Sequence, residues 1–367
     1  MSLQKKKLLI AMELSNKKWK LCFSDGTSRR ERTIPARSES DFWREVDRAR
    51  EKLALRADTP VVSCYEAGRD GFWIDRMLAA GGVCNHVIDP SSIEVPRRAR
   101  QRKTDRLDVH KLMKLLVHYE LFDERDSFAR VCVPSEEEEA QLRTHRERER
   151  LTKERTGHRA RIRSLCVLHG IELGSLRTLD VDALRDYRGR PLQEAWRTEL
   201  RREFDRLALV EEQLKQVEDR QTQELGQPRT RAAVCSSKLC RLKSIGLQSS
   251  WVLSHECFGW RQFANRKKLG SFGGLTGTPY DSGDSVQDQG ISKAGNRRVR
   301  TTMIELAWMW VRWQPDSELT RWFHERYSDT KRSRRKGIVA LARKLLIALW
   351  KYVEQDVVPA GAVFKNA

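Results

Sequence analysis

The chain has 367 residues, which suits roughly two or three domains, and 33% of its residues are charged against 39% that are hydrophobic. Lysine and arginine outnumber aspartate and glutamate by 71 to 51, so the formal net charge is +20, and such a charge attracts polyanions, nucleic acid above all. The cations are spread along the chain, and no run approaches the roughly 18 apolar residues of a membrane span, so we expect no membrane partner.

The first 125 residues alternate between strand and helix patterns, as in an α/β domain. Lysines precede a short apolar run at the start, but Glu13 interrupts it, so the run predicts a first strand rather than a signal peptide. Apolar and β-branched runs predict strands at 8–13, 19–23, 61–65 and 83–88, with a short strand at 33–34. Apolar residues at helical spacing predict helices at 42–55, at 72–78 and from 104 onward.

Four acidic residues of this region stand where a ribonuclease-H-like nuclease needs them. Glu13 ends the first strand, Glu66 ends a central strand, and Asp105 and Asp108 lie in the first turn of a helix, on one face. The start of a helix tolerates anions, and two Mg²⁺ ions held by carboxylates can steady the oxygens exchanged at a phosphodiester. Acids at strand ends and helix starts also occur without metal, so the spacing alone leaves a purely structural role open.

Residues 135–225 predict a helical middle region. Pro134 and Ser135, followed by Glu138, form a capping-box pattern that begins a highly charged helix, which breaks near Gly170. A second helix carries apolar residues at steps of three and four between 192 and 217, and a glycine and a proline at 226 and 228 end it. This seam indicates a coiled coil or helical hairpin, and a coiled-coil seam predicts an oligomer.

Residues 235–357 predict a mainly helical C-terminal domain, with helices at about 296–313 and 337–353. Near its start, Ser244-Ile245-Gly246 resembles the turn of a helix-hairpin-helix, whose backbone N–H groups can grip a DNA phosphate. The same tripeptide also ends many ordinary helices.

A glycine-rich loop at 273–283 is predicted to present Ser282 to a phosphate. A serine that attacks phosphorus needs an activated oxygen and neutralisation of the developing charge. Cations and an amide that could hold the phosphate follow in Lys293, Asn296, Arg297 and Arg300. The alternative is a structural loop followed by a capped basic helix.

Other basic segments are candidates for contact with nucleic acid. Arg102 and Lys103 precede the paired aspartates and could guide a phosphate backbone to the metals. An arginine-rich arm at 145–163 is either a polyanion contact or a solvated helix with i,i+4 ion pairs. The densest cluster is Lys331, Arg332, Arg334, Arg335 and Lys336. Helical spacing favours core packing over base stacking for Trp308, Trp310, Trp313, Trp322 and Trp350.

The eight cysteines are far apart in the sequence and include no C-x-x-C pair. They indicate neither a disulfide framework nor a zinc site, and a reducing cytoplasm is the expected location.

Together these segments resemble the DEDD transposases of insertion sequences, a family of bridge-RNA-guided recombinases related to the Piv-type DNA invertases. The N-terminal region carries the resemblance at 11–15, 65–68 and 102–108, and the C-terminal region carries it at 244–246, 272–275, 281–283 and 291–296. The resemblance implies a RuvC-like nuclease domain over 1–125, a coiled coil over 135–225 and a transposase domain over 235–357.

By the same resemblance, Mg²⁺ would be bound by Glu13, Glu66, Asp105 and Asp108. Ser282 would form a covalent phosphoserine link to DNA, and strands would exchange through a junction intermediate. The resemblance also implies a tetramer in which the carboxylates of one subunit meet the serine of another. A structured noncoding guide RNA would pair with donor and target DNA.

One residue departs from the family pattern. The first acid of the family is usually aspartate, whereas this chain has Glu13. The additional methylene group of glutamate shifts the carboxylate by roughly an ångström, which strains the octahedral coordination that Mg²⁺ requires. Two alternatives follow. A junction-resolving nuclease that uses water would keep the carboxylates without Ser282, and an RNA-binding scaffold from an inactive element would need neither.

Overall fold

The computed structural model describes residues 6–93, 105–176, 179–282, 285–327 and 330–365, without the side chains of residues 91, 105–107, 279–282 and 285–289. It divides into two compact units, residues 1–134 and 135–367. The first unit is α/β and the second is mainly helical. Within the described residues, no helix combines the length and apolar character needed to cross a membrane.

The first unit is built on a five-stranded sheet. Its elements are β1 (Leu8–Leu14), β2 (Lys18–Ser24), β3 (Arg29–Pro35), α1 (Glu39–Lys52), β4 (Val61–Glu66), α2 (Trp73–Ala80), β5 (Cys84–Ile88) and α3 (Asp105–Leu121). The sheet order is β3-β2-β1-β4-β5, with β4 parallel to both of its neighbours and the other pairs antiparallel. Each element predicted for this region is present, and the short third strand proves longer because it continues through exposed polar residues that break the apolar pattern.

Both faces of this sheet are covered. On one face, Ile10 of β1 belongs to a core shared with α1 and α2. On the other face, Ala11 of β1 and Cys64 of β4 belong to a core shared with α3. Burial on both faces explains why β1 reads as an unbroken apolar run rather than as an alternating one.

The second unit begins with a helical hairpin of α4 (Glu136–Val167) and α5 (Glu194–Gly226). The predicted capping box is confirmed, because the Glu138 backbone N–H donates to Ser135 Oγ and the Ser135 N–H donates to the Glu138 carboxylate. The α5 seam is also confirmed, since Leu200, Leu207 and Leu214 are buried. Ion pairs that join early α4 to late α5 show that the two helices run antiparallel.

The rest of the unit is a helical bundle around one apolar core. Its elements are α6 (Arg231–Cys240), α7 (Leu247–Leu253), α8 (Arg266–Phe272), β6 (Gly277–Ser282), β7 (Ser285–Ile291), α9 (Arg297–Trp313), α10 (Glu318–Tyr327) and α11 (Lys331–Gln355). The core is centred on α9 and α11, which contribute residues such as Met303, Trp310, Leu341 and Leu345. The hairpin and the bundle belong to one unit, so their division into a coiled-coil domain and a transposase domain stays a prediction.

Three expectations for this unit require correction. The glycine-rich segment is not simply a loop, because antiparallel pairing of β6 with β7 makes it a β-hairpin. Helix α11 begins at Lys331, six residues before the apolar pattern starts, because Thr330 caps it and its first turns are polar and exposed. Trp310 is buried as predicted, but Trp308 and Trp313 are 42% and 41% exposed. Trp308 lies two residues before Trp310, about 200° around the helix, so both cannot face the core.

Candidate active site

Two of the four predicted acids are neighbours at one edge of the sheet. The parallel register of β1 and β4 pairs Ala11 with Cys64 and Met12 with Tyr65. Continued by one residue, this register sets Glu13 beside Glu66 at the carboxyl ends of the strands. Glu13 is half-buried and Glu66 is exposed. The topology therefore brings together two residues that are 53 positions apart.

Both acids continue the strand face that packs on α3. Ala11 and Cys64, each two residues earlier, lie in the core shared with α3. Because side chains alternate along a strand, Glu13 and Glu66 fall on that same face, beyond the apolar core.

Helix α3 runs antiparallel to β1 and begins at this edge. Near its end, Glu120 accepts a 2.6 Å hydrogen bond from Lys7, which immediately precedes β1. In its middle, the Leu112 carbonyl lies 3.8 Å from Cys64 Sγ. Asp108 comes four residues before Leu112 in the helix, which is about 6 Å along the helix axis. Glu66 comes two residues after Cys64 in the strand, which is about 6.6 Å along the strand in the same direction. Asp108 and Glu66 therefore lie at the same level.

The donor set fits a hard divalent cation, but the described side chains do not form a finished site. Asp108 is half-buried, and Asp105 is the first residue of α3, although its side chain lies outside the described residues. Among the side chains that are described, no group of three or more histidine, cysteine, aspartate or glutamate residues is close enough to hold a metal ion. Carboxylates that face one edge supply the oxygen ligands that Mg²⁺ prefers, and Mg²⁺ retains several waters as further ligands.

Ser282 lies at the tip of the β-hairpin in the second unit. It is the last residue of β6 and pairs with Ser285, the first residue of β7. The two connecting residues and the Ser282 side chain lie outside the described residues. The backbone thus places Ser282 at the end of a two-stranded arm.

The base of this arm is a place where two backbone segments cross, residues 272–276 and 292–296, here called the glycine crossing. The Ser292 N–H donates to the Thr276 carbonyl, and the Asn296 N–H donates to the Phe272 carbonyl at 2.7 Å. Gly274 has a φ of +61°, and a Cβ there would collide with the Ala294 carbonyl oxygen. A side chain at Gly295 would likewise strike the Phe272 carbonyl. These two glycines are therefore needed for the segments to pass in contact.

A buried acid supports the glycine crossing from behind. Glu256 is 1% exposed and accepts hydrogen bonds from His145 Nε2 at 2.8 Å, from two nitrogens of Arg146 and from Asn296 Nδ2 at 2.9 Å. Burial alone would raise the pKa of Glu256, but the hydrogen bonds from His145 and Arg146 outweigh it and hold the pKa well below its ordinary value. We call these four residues the Glu256 cluster.

The comparisons with known proteins bear on the whole chain. Residues 236–323 match the model of the transposase IS116/IS110/IS902 family. The protein y4rJ of Sinorhizobium fredii (strain NBRC 101917 / NGR234), named as a transposase, is 39% identical over 377 residues, covering 98% of this chain and 95% of y4rJ. The chain belongs to the IS116/IS110/IS902 transposase family. A second S. fredii protein named as a transposase, y4qE, is 28% identical over 278 residues, covering 74% of this chain and 65% of y4qE.

The family assignment makes this protein a DNA transposase, and it confirms the resemblance at that level. The matched segment of the transposase contains the glycine crossing, the β-hairpin with Ser282, and two members of the Glu256 cluster, Glu256 and Asn296.

Sequence reasoning missed the Glu256 cluster. Asn296 was predicted to contact nucleic acid, but its Oδ1 accepts from the Val299 N–H at the start of α9 while its Nδ2 donates to Glu256. Both amide atoms are thus engaged within the protein. The available signal was a single acid, Glu256, within the mostly apolar segment Trp251–Trp260, where a charge needs partners from elsewhere.

The other predicted cations vary in how far they are free to bind. Lys293 and Arg297 are exposed, while Arg300 donates to the Lys293 carbonyl at 2.8 Å. Arg102 and Lys103 lie outside the described residues. The five cations at the start of α11 are all exposed: Lys331, Arg332, Arg334, Arg335 and Lys336.

The arginine-rich arm is largely structural. Arg148 pairs with Glu218, Arg159 with Glu211, and Arg161 with Glu203, so these arginines join α4 to α5. The arm also contains the i,i+4 pair of Lys153 with Glu149 that the solvated-helix interpretation predicted.

Proposed function

We propose that this transposase cuts and joins DNA with Mg²⁺ bound by Glu13, Glu66, Asp105 and Asp108 and with the Ser282 hydroxyl as the nucleophile. The first unit would then be a RuvC-like nuclease domain. The observation that supports this most directly is the meeting of β1, β4 and the start of α3 at one sheet edge, with Glu13 and Glu66 on the sheet face that packs on α3 and Asp108 on α3 at the level of Glu66.

In the proposed chemistry, Ser282 Oγ bonds to the scissile phosphorus while the bond from phosphorus to the leaving strand's oxygen breaks. The serine proton passes to a base at the site, and the leaving oxygen takes up a proton to become a hydroxyl. Glu13, Glu66, Asp105 and Asp108 would hold Mg²⁺, which when bound would supply positive charge where negative charge develops on the phosphate. A hydroxyl of the second strand then attacks the phosphoserine, which joins the strands and releases Ser282.

We further propose that the protein acts as a tetramer, with the carboxylates and the serine of each active site supplied by different subunits. A structured noncoding RNA would pair with donor and target DNA, so that base pairing rather than protein side chains selects the sequence. The net charge of +20 and the exposed cations at the start of α11 suit such a polyanionic partner. A separate cleft of about 510 Å³ along α4 is lined by Arg143 and Arg150 and by three cations that already pair with acids, Arg146 with Glu256 and both Lys153 and Arg298 with Glu149.

The deciding experiment is strand exchange in vitro with the full chain, donor and target DNA, the RNA encoded beside the gene, and Mg²⁺. Ser282→Ala should abolish both the covalent protein–DNA adduct and strand exchange. Ser285→Ala, at the paired position of the same hairpin, is the matched control and should retain both. If Ser282→Ala still cuts DNA, the water-using, junction-resolving nuclease is the better description.

Mixing two inactive variants tests the shared active site. Glu66→Gln and Ser282→Ala proteins should each fail alone and recover part of the activity when assembled together. No recovery would place the acids and the serine in one subunit.

The scaffold alternative has its own test. If neither the wild-type chain nor Glu13→Asp cuts or joins DNA with RNA and Mg²⁺ present, while the protein binds the RNA tightly, the inactive RNA-binding scaffold replaces the proposal. Sequencing the nucleic acid that co-purifies with the protein should return one defined RNA, whereas random cellular RNA would contradict guidance.

A further inference from the structure

The end of α9 presents large apolar side chains away from the core. Trp308, Met309 and Trp313 are 42%, 40% and 41% exposed. Trp308 and Arg312 are four residues apart, as are Met309 and Trp313, so the four side chains cover one broad side of the helix. Two half-exposed tryptophans within six residues are costly to leave in water and indicate a binding surface.

Two cations accompany Trp313. The Arg312 guanidinium lies 5.1 Å from the centre of the Trp313 ring, and Lys243 Nζ lies 6.0 Å from it. Lys243 comes from the turn between α6 and α7, so the positive charge reaches the ring from two separate segments. Both cations are exposed and lie over the ring, so a base that stacks on Trp313 takes the place of one of them, and the displaced cation stays within reach of the adjoining phosphate.

A buried glutamine fixes this arrangement. Gln314 is fully buried, and its Nε2 donates to the carbonyls of Lys243 at 2.6 Å and Val363 at 2.8 Å. Its Oε1 accepts from the Val363 N–H at 2.7 Å. The residue that follows Trp313 thus ties together α9, the α6–α7 turn and the C-terminal segment. A surface held in this way loses little conformational freedom when it binds.

We propose that Trp308, Met309, Trp313, Lys243 and Arg312 form an aromatic platform that binds an unpaired strand of nucleic acid. A splayed base stacks on Trp313, and the adjoining phosphates contact Lys243 and Arg312. Bases within a duplex have their faces covered, so the platform selects unpaired nucleotides. This inference deepens the proposed function, but it depends on the handling of nucleic acid and not on the carboxylates or Ser282.

A second copy of the chain fits this surface less well. Together with Val363, which is 48% exposed, the platform offers on the order of 400 Å² of apolar area. A stable protein interface needs about 800 Å² from each partner. Two copies that met through this surface would also bring Lys243 and Arg312 of each chain together, which disfavours the contact, whereas a phosphate backbone complements them.

The test measures binding of fluorescein-labelled twelve-nucleotide oligo(dT), oligo(U) and a duplex DNA by the full chain. Trp313→Ala should weaken binding of a single strand roughly 10-fold and leave duplex binding within about 2-fold, whereas Trp313→Phe should keep most of the affinity. Tyr187→Ala, which removes a 68% exposed aromatic side chain elsewhere in the same unit, is the matched control and should bind like the wild type. The stronger of the oligo(dT) and oligo(U) arms identifies DNA or RNA as the source of the strand.

Further variants keep the test decisive. Arg312→Ala should make the slope of log affinity against log salt concentration shallower by about 1, which corresponds to the loss of one phosphate contact. Ser282→Ala should bind oligonucleotides like the wild type, so loss of strand exchange and loss of stacking are separable. Equal weakening for single strand and duplex, or no change in Trp313→Ala and Trp308→Ala, overturns the platform. A smaller oligomer for Trp313→Ala in sedimentation would assign the surface to contact between copies and would equally overturn it.

Discussion

The sheet edge of the first unit and the Glu256 cluster of the second use acidic residues in opposite ways. Glu66 is exposed at the end of a strand, beside Glu13, where a cation and a phosphate can approach. Glu256 is buried, and its oxygens are occupied by donors from α4 and from the start of α9. A buried acid whose two oxygens both accept hydrogen bonds from the protein stabilises the fold, whereas an acid at an accessible edge is available for chemistry.

The largest expected effect separates these two acids. Glu256→Gln should lower the free energy of unfolding by about 3–5 kcal/mol, because it removes the buried carboxylate that pairs with Arg146 and accepts the hydrogen bonds of His145 and Asn296. Glu66→Gln should change it by less than about 0.5 kcal/mol. Urea denaturation followed by circular dichroism measures both, and similar values for the two variants would contradict the contrast.

The glycine crossing should be nearly as sensitive. Gly274→Ala should cost about 3 kcal/mol, because φ is positive there and the added methyl group meets the Ala294 carbonyl. Gly157→Ala is the control, since it lies in α4 with open space around it and should gain up to about 1 kcal/mol from helix propensity. Thermal unfolding of both variants decides, and a tolerated Gly274→Ala would show that the two segments need not touch.

The neighbourhood of the Glu256 cluster should also make stability depend on pH. Burial lowers the pKa of His255 from 6.5 to about 4 in the folded chain. Between these values the unfolded chain binds more protons, so stability should fall as pH decreases from 6.5 to 4, by about 3 kcal/mol in all. His255→Asn should flatten this dependence, while His324→Asn, at an exposed position, should leave it unchanged.

A smaller loss is expected for Asn296→Ala, which removes both the cap of α9 and one donor to Glu256. We expect about 2 kcal/mol, against about 1 kcal/mol for Asn265→Ala, which removes only the cap of α8. Equal losses in urea denaturation would mean that the hydrogen bond to Glu256 contributes nothing.

The smallest effect concerns the metal. At millimolar concentrations, Mg²⁺ should stabilise the wild-type protein by about 1 kcal/mol through binding to the folded state. Glu66→Gln should lose this gain and Glu256→Gln should keep it. Differential scanning calorimetry with and without Mg²⁺ measures the shift, with Ca²⁺ as a comparison cation, and a shift retained in Glu66→Gln would place the ion elsewhere.

Much of the fold followed from local patterns. The capping box at Ser135 and Glu138 predicted the start of α4, because the groups that satisfy its first N–H donors are three residues apart. The run at 8–13 predicted β1, and the buried-type run at 61–65 predicted a strand that ends at Glu66, as β4 does. The site residues themselves stay predictions, although Glu13 and Glu66 share one face of the sheet and Asp108 lies level with Glu66 on α3.

The amino-acid sequence by itself determined which segments of the first unit form helices and strands, where α4 begins, and which residues carry charge, because caps and periodicity act between near neighbours. Only the tertiary structure decided that Asp108 lies level with Glu66, that Glu256 is paired with a histidine more than a hundred residues away, and that Trp308 and Trp313 face outward while Trp310 faces the core. The direction of α3 and the partners of a buried charge depend on which surfaces pack together, and that choice minimises the free energy of the whole unit rather than of any one segment.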